Sequence, residues 1–376
     1  MNAPAPLLDA RRAKAAESFR VQGVPHRRVE AWKYSDLRAV LDAHRVTEGG
    51  AARWTFDALP KEFEFFDLSS AADAPGWVQQ RLGTLGNSGA MEAASLACAR
   101  SGFALRVPRG EAGQVRMRLA GAGQARALIV VEDNASLTLV EDADTISGFQ
   151  NVGMEIVLAP HGQFTHIRQT PQDTAAVRVC EIAARVAQGA VYRAHLADFG
   201  GKLSRTELYV ALEGEGAQAH LSGVGVLGEG HADVTTHVDH AVGNTLSTQL
   251  FKNIAGGHSR AVYQGKVTVR PSANGSDSRQ TAKGLLLGTR AEIDLKPELE
   301  ILADDVKCAH GAAVGDLDVE SLFYLRSRGI PEAEARALLM RAFIGDAMDQ
   351  IADDAIRAAL WQSVEPALAR ATEAAP

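Results

Sequence analysis

The sequence contains few cysteines and no long apolar segment. Its 376 residues include only Cys98, Cys180 and Cys308, which are too far apart for a CxxC metal pair or a disulfide framework. This usage is typical of a reducing cytoplasm. No run of about 18 apolar residues occurs, so no membrane-spanning helix is expected. Residues 1–17 do not place an apolar segment behind a basic one, so no signal peptide is predicted.

Motifs typical of several enzyme classes are also missing. The chain has no GxSxG and no HExxH motif. Gly265-Lys266 lacks the spacing and the Ser/Thr of a P-loop, so the chain is not expected to hydrolyse ATP. Residues 223–228 match the letters of a dinucleotide-binding fingerprint, but a β pattern follows them instead of the helix that binds a pyrophosphate. We interpret them as glycine-rich strand. A net charge of −7 argues against non-specific nucleic-acid binding.

The middle of the chain is a long series of short segments rich in Val, Leu and Ile. They recur from Phe103 onward, separated by Gly, Asp and Asn, and no helical pattern alternates with them. This disfavours a doubly wound α/β sheet, whereas a sandwich, a barrel and a β-helix all fit. Helical patterns at both ends favour a solenoid whose ends are covered. The segments 247–254 and 259–266 carry polar residues, which we interpret as solvated strand faces.

The region before the strands is predicted to be mostly helical, with helices at 7–22 and over 75–100. Between them, residues 23–35 mix basic and aromatic side chains. We interpret this segment as an anchor built on Trp32 and Tyr34, with its arginines solvated or paired with Glu30, in preference to a nucleic-acid patch.

Residues 296–315 carry the densest candidate chemistry. Apolar and polar residues alternate up to Ile301, which predicts a half-buried strand. Asp304-Asp305 predicts a turn, and a second short strand ending at Gly311 is expected to place Cys308 and His310 on one face. A thiol beside an imidazole is expected to ionise more readily. Two such ligands are too few for an iron–sulfur cluster, which normally has four.

Helical patterns return after Gly315. Asp316 or Asp318 is a candidate N-cap, and Gly329 is a candidate helix stop. Pro331 suits the first position of a second helix, and a third follows through Ile351. The second helix has one apolar stripe, made of Ala335, Leu338, Leu339, Ala342 and Phe343. These helices either cap the sheet or present a docking face to a partner, and we favour the docking face.

The stretch KPELEILADDVKCAHGAAVG at 296–315, with FYLRSRGI at 323–330, closely resembles the SufB/SufD family of iron–sulfur cluster assembly proteins, in particular its SufD branch. The resemblance implies a mainly β fold with a right-handed parallel β-helix core. The regions expected from it are a mostly helical N-terminal region at 1–101, the β-helix at 102–315 and a C-terminal helical region at 316–376.

The resemblance also implies partners. A SufB-like subunit would form a heterodimer with this chain, and a SufC-like ABC ATPase would dock on the C-terminal helices. Candidates for that contact are Phe323, Tyr324, Arg326, Arg328, Gly329, Leu338, Leu339 and Phe343. His310, with Cys308 beside it, would face a cysteine of the SufB-like subunit. A transient iron–sulfur cluster is expected in the complex, and no cofactor or stable metal in the isolated chain, which could also form a homodimer.

Three alternatives remain open. The chain could be a SufB-like subunit that carries the cluster itself, although it has a single cysteine in the matching region. It could be a β-helix enzyme acting on carbohydrate through Asp294, Asp304 and Asp305, although aromatic residues are only 6% of the chain. Four histidines could also form a metal site, which we consider less favourable than separate hydrogen-bonded or surface histidines: His231, His237, His240 and His258.

Overall fold

Parallel β-strands form most of the molecule. The computed structural model describes residues 7–41, 46, 50, 52–69, 74–86 and 89–374. The strands in this part of the chain are β1 Arg53–Phe56, β2 Glu64–Asp67, β3 Gly102–Val107, β4 Ala112–Ala120, β5 Gly123–Val131, β6 Ser136–Ala143, β7 Gly148–Leu158, β8 Gln163–Thr170, β9 Asp173–Val186, β10 Val191–Asp198, β11 Gly201–Leu212, β12 Gln218–His240, β13 Leu246–Val269, β14 Asp277–Leu286, β15 Glu292–Ile301 and β16 Lys307–Gly315.

The strands stack as a parallel β-solenoid of about eight turns. One wall, called here the first wall, runs through β4, β6, β8, β10, the first halves of β12 and β13, then β14 and β16. The second wall runs through β3, β5, β7, β9, β11, the second halves of β12 and β13, and β15. Neighbouring strands in each wall are parallel, which confirms the expected β-helix and rules out an antiparallel sandwich.

Every second side chain of each wall points into the solenoid, because the side-chain period of a strand is two. The interior is therefore a stack of aligned columns. Phe164 and Tyr192 lie in register on neighbouring strands with their rings stacked at 5.6 Å between centroids. The apolar columns from both walls form one continuous core along the solenoid. Burial of these columns is the main stabilisation of the fold.

The glycines of the fingerprint-like segment lie inside a strand. Segments 217–221 and 231–240 were predicted as separate strands, but β12 is continuous through both, with a register irregularity between Leu227 and Glu229. At Gly228 an added Cβ would lie 3.1 Å from the backbone oxygen of Arg370. The missing side chain thus lets the last helix approach the wall closely, and the glycines serve packing rather than nucleotide binding.

Seven helices and one short 3₁₀ turn at Glu30–Trp32 flank the solenoid in the described residues. The helices are α1 Leu7–Gln22, α2 Leu37–Val40, α3 Gly76–Arg81, α4 Ala90–Cys98, α5 Val319–Ser327, α6 Glu332–Met348 and α7 Asp354–Glu373. The helix predicted at 7–22 is confirmed, whereas the stretch predicted over 75–100 divides into α3 and α4, with residues 87 and 88 outside the described part. No helix among the described residues is long and apolar enough to cross a membrane.

The N-terminal region covers one end of the solenoid and part of the second wall. The short strands β1 and β2, which the sequence did not predict, pair antiparallel with β4 and β3 and so cover the first edges of both walls. Trp32 is buried, and the guanidinium of Arg205 lies 4.3 Å from its ring centroid. Arg27 and Arg28 are exposed, which is the solvated alternative of the prediction for these arginines, and Glu30 pairs with Lys296 at 2.9 Å instead.

Helices α6 and α7 cover the outer face of the first wall. Ile344 and Leu360 lie in an apolar cluster with Val226 and Ile254 of the wall. Lys252 of β13 holds α6 on the first wall. Its ammonium donates to the backbone oxygen of Phe343 at 2.5 Å and pairs with Asp346 at 2.6 Å. Helices α6 and α7 therefore cap the sheet, which was one of the two predicted roles of the C-terminal helices.

The ends of α5 follow the sequence signals closely. Asp318 is the N-cap, and its carboxylate accepts hydrogen bonds from the backbone of Glu320 and Ser321. At the other end Gly329 has a φ of +87°, and Ile330 N–H donates to the oxygen of Leu325, as in a Schellman motif.

Two details of the following helices differ from the prediction. Pro331 is the N-cap of α6 rather than its first residue, and α7 begins at Asp354, after Ile351.

Candidate functional site: the open end of the solenoid

The solenoid ends at β15 and β16, whose outer edges carry no further strand in the described residues. The second strand of the candidate stretch was predicted to stop at Gly311, but β16 runs on to Gly315 because Ala312 to Val314 continue the ladder with β14. The bend at Asp304-Asp305 was predicted correctly. The open end is thus a nine-residue edge strand beside a ten-residue one, and such edges are templates for pairing with another chain.

The two edges differ in their free backbone donors. Leu302 N–H donates to Val269 O, and alternate residues of a parallel strand point their N–H groups the same way. Pro297 lies on the opposite alternation, so its missing N–H falls on the open edge, where proline is tolerated. Pro297 therefore blunts the edge of β15.

The edge of β16 is not blunted. Lys307 N–H donates to Ser276 O at 2.9 Å, so by the same alternation the N–H groups of Cys308, His310, Ala312 and Val314 face outward, away from β14. Within the described residues, β16 thus presents a nine-residue strand edge with its outward donors free. We expect this edge to be where a partner strand adds.

Cys308 and His310 lie on the same face of β16, as predicted. They continue the interior columns of the first wall, in register with Ser278 and Gln280 of β14. Because no turn covers them, Cys308 is half-buried and His310 is exposed. Both side chains can therefore be reached from the open end of the solenoid.

The expectation that Cys308 ionises readily is wrong for the isolated chain. Partial burial is the main cause that raises the pKa of the Cys308 thiol above its ordinary value, with the nearby Asp277 carboxylate acting in the same direction and a backbone hydrogen bond from Ser278 opposing it. Cys308 is therefore a thiol at neutral pH. A partner that brings a cation or a metal to the open end would have to lower this pKa.

The histidines that might have formed a metal site are scattered. His231 bonds Ser35, His237 bonds Thr268 and His240 bonds Thr245 and Ser247, while His258 is exposed. Burial lowers the pKa of His231 and of His240 to about 4, so both are neutral and structural. Within the described residues, no group of three or more His, Cys, Asp or Glu side chains is arranged to hold a metal ion.

The carboxylates considered for carbohydrate chemistry are not arranged as an acid–base pair in a cleft. Asp294 lies on the outer face of the second wall and pairs with Arg260 at 2.7 Å. Asp304 and Asp305 form the bend between β15 and β16 and are exposed. These positions explain all three as structural or solvated groups.

Polar residues of β13 and β14 lie inside the solenoid, contrary to the prediction of a solvated face. Gln249 and Gln280 are almost fully buried, and both lie in the interior column that ends at His310. Alternation in the sequence shows that such residues share a face, but it does not show which face is interior when both faces carry polar groups. The register was needed to find them.

The predicted docking residues fall on a largely exposed surface. Phe323, Tyr324, Arg326, Arg328, Gly329 and Leu338 are exposed, while Leu339 and Phe343 are half-buried. Phe343 packs against the apolar cluster that α6 and α7 share with the wall. The predicted apolar stripe of α6 therefore only partly faces the core, since its buried residues are Ala335, Met340, Ile344, Ala347 and Met348.

Helix α5 has no buried residue at all. Val319 is 75% exposed, Phe323 72% and Tyr324 56%. This surface, made of these three side chains, is called here the α5 patch. Leu338, on the following helix, is also an exposed apolar residue. Apolar groups clustered this way on a helix are typical of a protein–protein contact.

Comparison with known proteins agrees with this architecture. Residues 115–343 match the family described as "SUF system FeS cluster assembly, SufBD core domain". The chain belongs to the SufBD family. Residues 2–46 match the SufBD protein N-terminal region.

Named relatives cover different shares of the chain. An iron–sulfur cluster assembly SufBD family protein of Synechocystis is 35% identical over 64% of this chain and 56% of its own length. The iron–sulfur cluster assembly protein SufD of Escherichia coli is 27% identical over 89% of this chain and 87% of its own length. Protein ABCI7 of Arabidopsis chloroplasts is 30% identical over 67% of this chain. The chain spans little more than half of the Synechocystis and Arabidopsis proteins.

Proposed function

We propose that this SufBD family protein is a non-catalytic scaffold subunit of an iron–sulfur cluster assembly complex, in a reducing cytoplasm. It pairs with a SufB-like subunit through the edge of β16. The observation that carries this proposal is the asymmetry of the solenoid: β1 and β2 cover one end, whereas the other ends in a strand edge with its outward donors intact. A second copy of the chain could occupy the same edge when the SufB-like subunit is absent.

His310 is the residue we assign to the assembly interface. Pairing at β16 would bring a partner residue over the exposed ends of the two neighbouring interior columns that end at His310 and at Cys308. An imidazole nitrogen and a thiolate are both ligands for iron, so Cys308 would lose its proton on binding. Since two ligands are too few, the partner would supply the others, and the cluster would be cargo formed only in the complex.

The α5 patch is the surface we assign to a SufC-like ABC ATPase. Its apolar side chains are exposed although α6 and α7 beside it are well packed. Nucleotide-driven movement of the ATPase would reach the solenoid through α6, which Lys252 fastens to the first wall. The chain itself has no P-loop and would hydrolyse no ATP.

Replacing Phe323 and Tyr324 together by serine should abolish binding of the ATPase while the chain still pairs with the SufB-like subunit. Both side chains are exposed, so their loss removes contact area without opening the core. The measurement is pull-down and calorimetry with each purified partner. The matched control is Val21→Ser, an exposed apolar residue on α1, which should leave both interactions unchanged. ATPase binding at wild-type affinity by the double variant would place the docking surface elsewhere.

A further inference from the structure

A chain of buried polar side chains runs through the interior of the last turns and reaches the level of His310. Thr236 Oγ1 donates to Gln249 Oε1 at 2.6 Å, and Tyr263 OH donates to the same oxygen at 3.1 Å. Gln280 Nε2 in turn donates to Tyr263 OH at 3.3 Å. Buried polar groups are costly unless bonded, so any hydrogen bond that this interior polar chain leaves unmade calls for an explanation.

The network fixes which end of the Gln280 amide points where. A tyrosine hydroxyl has a single proton, which Tyr263 can give to Gln249 Oε1 or to Thr236 Oγ1, 3.0 Å away. Since the amino end of Gln280 can only donate, the hydroxyl accepts from it. Room for the amide comes from Gly265 on the opposite wall, where a Cβ would overlap Gln280 Nε2. The amino end of Gln280 is therefore held against the preceding turn.

The oxygen of the same amide has no partner. Gln280 is 1% exposed, and its Oε1 is buried without a hydrogen bond. An acceptor left unpaired in this way costs about 1–3 kcal/mol. Because Nε2 is bonded to Tyr263 of the preceding turn, Oε1 is the end of the amide that is left for a donor on the following turn. The residue in register with Gln280 on that following turn is His310, at the spacing of neighbouring strands, about 4.8 Å.

The imidazole of His310 has a hydrogen-bond donor without a partner in the described residues. It is exposed, and in the described part of the chain its imidazole makes no side-chain hydrogen bond. A neutral imidazole always has one N–H to donate and one nitrogen with a lone pair. The neighbouring acceptor of Gln280 and the unpaired donor of His310 complement each other.

We propose that the His310 side chain turns toward the interior, where Gln280 Oε1 accepts a hydrogen bond from one imidazole N–H and so holds the other nitrogen, carrying the lone pair, directed toward the partner subunit. Gln280 is thus a positioning residue, and Tyr263 OH holds its amino end in place. The effect of Gln280 on metal binding rests on the function proposed above for His310. Metal-binding histidines normally have their second nitrogen bonded in this way, and loss of such a partner typically lowers metal affinity 10- to 100-fold.

The test is the tautomer of His310 in the isolated full-length chain, read from the imidazole ¹⁵N resonances at a pH well above the ordinary imidazole pKa of about 6.5. His310→Ala identifies the signal. In the wild type one nitrogen should carry the proton almost exclusively. Gln280→Leu should give a mixture of tautomers, and Gln280→Glu, which keeps an acceptor, should restore a single one.

Thr236→Val is the matched control, since it removes a hydroxyl of the same buried network that does not reach His310. It should leave the tautomer unchanged, whereas a merely structural role of the network would predict equal effects for Thr236→Val and Gln280→Leu. An unaltered tautomer in Gln280→Leu, with thermal unfolding showing a folded chain, would overturn the proposal.

The same variants separate this proposal from the function on which it builds. In the complex with a SufB-like subunit, cluster yield on reconstitution with iron and sulfide should fall about tenfold in Gln280→Leu, the lower end of the range for such partners. If Gln280→Leu changes the tautomer of His310 but neither Gln280→Leu nor His310→Ala changes the cluster yield, the hydrogen bond is supported and the role of His310 in assembly is refuted.

Discussion

Ala312→Pro should abolish pairing with a SufB-like subunit while the isolated chain stays folded. Lys307 N–H faces β14, so the alternating Ala312 N–H faces the free edge. Proline removes this donor and places its ring where a partner strand would lie, without removing a hydrogen bond inside the chain. The lost bond and the separation forced by the ring should weaken pairing on the order of 100-fold, about 3 kcal/mol.

The measurement is size-exclusion chromatography with light scattering, together with calorimetric titration of the partner. Ala312→Ser is the matched control because it changes the same side chain and keeps the N–H group, so it should pair normally. The melting temperature of Ala312→Pro shows whether the fold survives. A folded Ala312→Pro chain that pairs with wild-type affinity would contradict strand addition at β16.

Arg205→Leu should lower the free energy of unfolding by about 3–5 kcal/mol, the cost of leaving buried charge unpaired. Arg205 is fully buried and pairs with Asp233 and, at 2.7 Å, with Glu207. Its guanidinium also donates to Ala31 O at 2.6 Å and stacks on Trp32. The substitution leaves two carboxylates without their cation and detaches the N-terminal anchor.

Urea unfolding followed by circular dichroism checks this expectation. Arg185→Leu serves as the control, since the Arg185–Glu213 pair at 3.0 Å lies on the surface with both side chains over 40% exposed and such pairs contribute under about 1 kcal/mol. The double variant Arg205→Leu with Asp233→Leu should recover part of the loss because one orphaned carboxylate is removed. Equal midpoints for the wild type and Arg205→Leu would show that the buried pair does not hold the anchor.

Local signals in the sequence predicted the helix ends and turns well. Asp318, Gly329 and the Asp304-Asp305 bend act through their own backbone neighbours, within a few residues. The same holds for the shared face of Cys308 and His310, which follows from the period of a strand. The solenoid itself was expected from strand spacing, helical ends and family resemblance together.

Contacts between distant residues could not be predicted from pattern. Arg205 donates to Ala31, 174 positions away in the chain, and nothing local marks either residue as a partner of the other. Glu30 likewise pairs with Lys296 rather than with the arginines beside it. Both contacts depend on which turn of the second wall meets the N-terminal segment.

The candidate site was predicted only in its outer layer. His310 and Cys308 stood out as residue types that bind metals, whereas Gln280 resembled any polar residue of an alternating strand. Its importance depends on the β14–β16 register, which places it beside His310, and on the missing side chain of Gly265. Interior position and orientation are properties of the assembled turns, not of the segment.

The central claim is that His310 takes part in cluster formation at an interface shared with a SufB-like subunit. Its most direct test is reconstitution of the His310→Ala complex with iron and sulfide, read by visible absorbance, with size-exclusion chromatography of the same sample. We expect an intact complex whose cluster yield falls at least about tenfold, with a smaller fall for Cys308→Ser. A normal yield in the intact His310→Ala complex would contradict the claim, and a complex that falls apart would make His310 a structural residue of the interface.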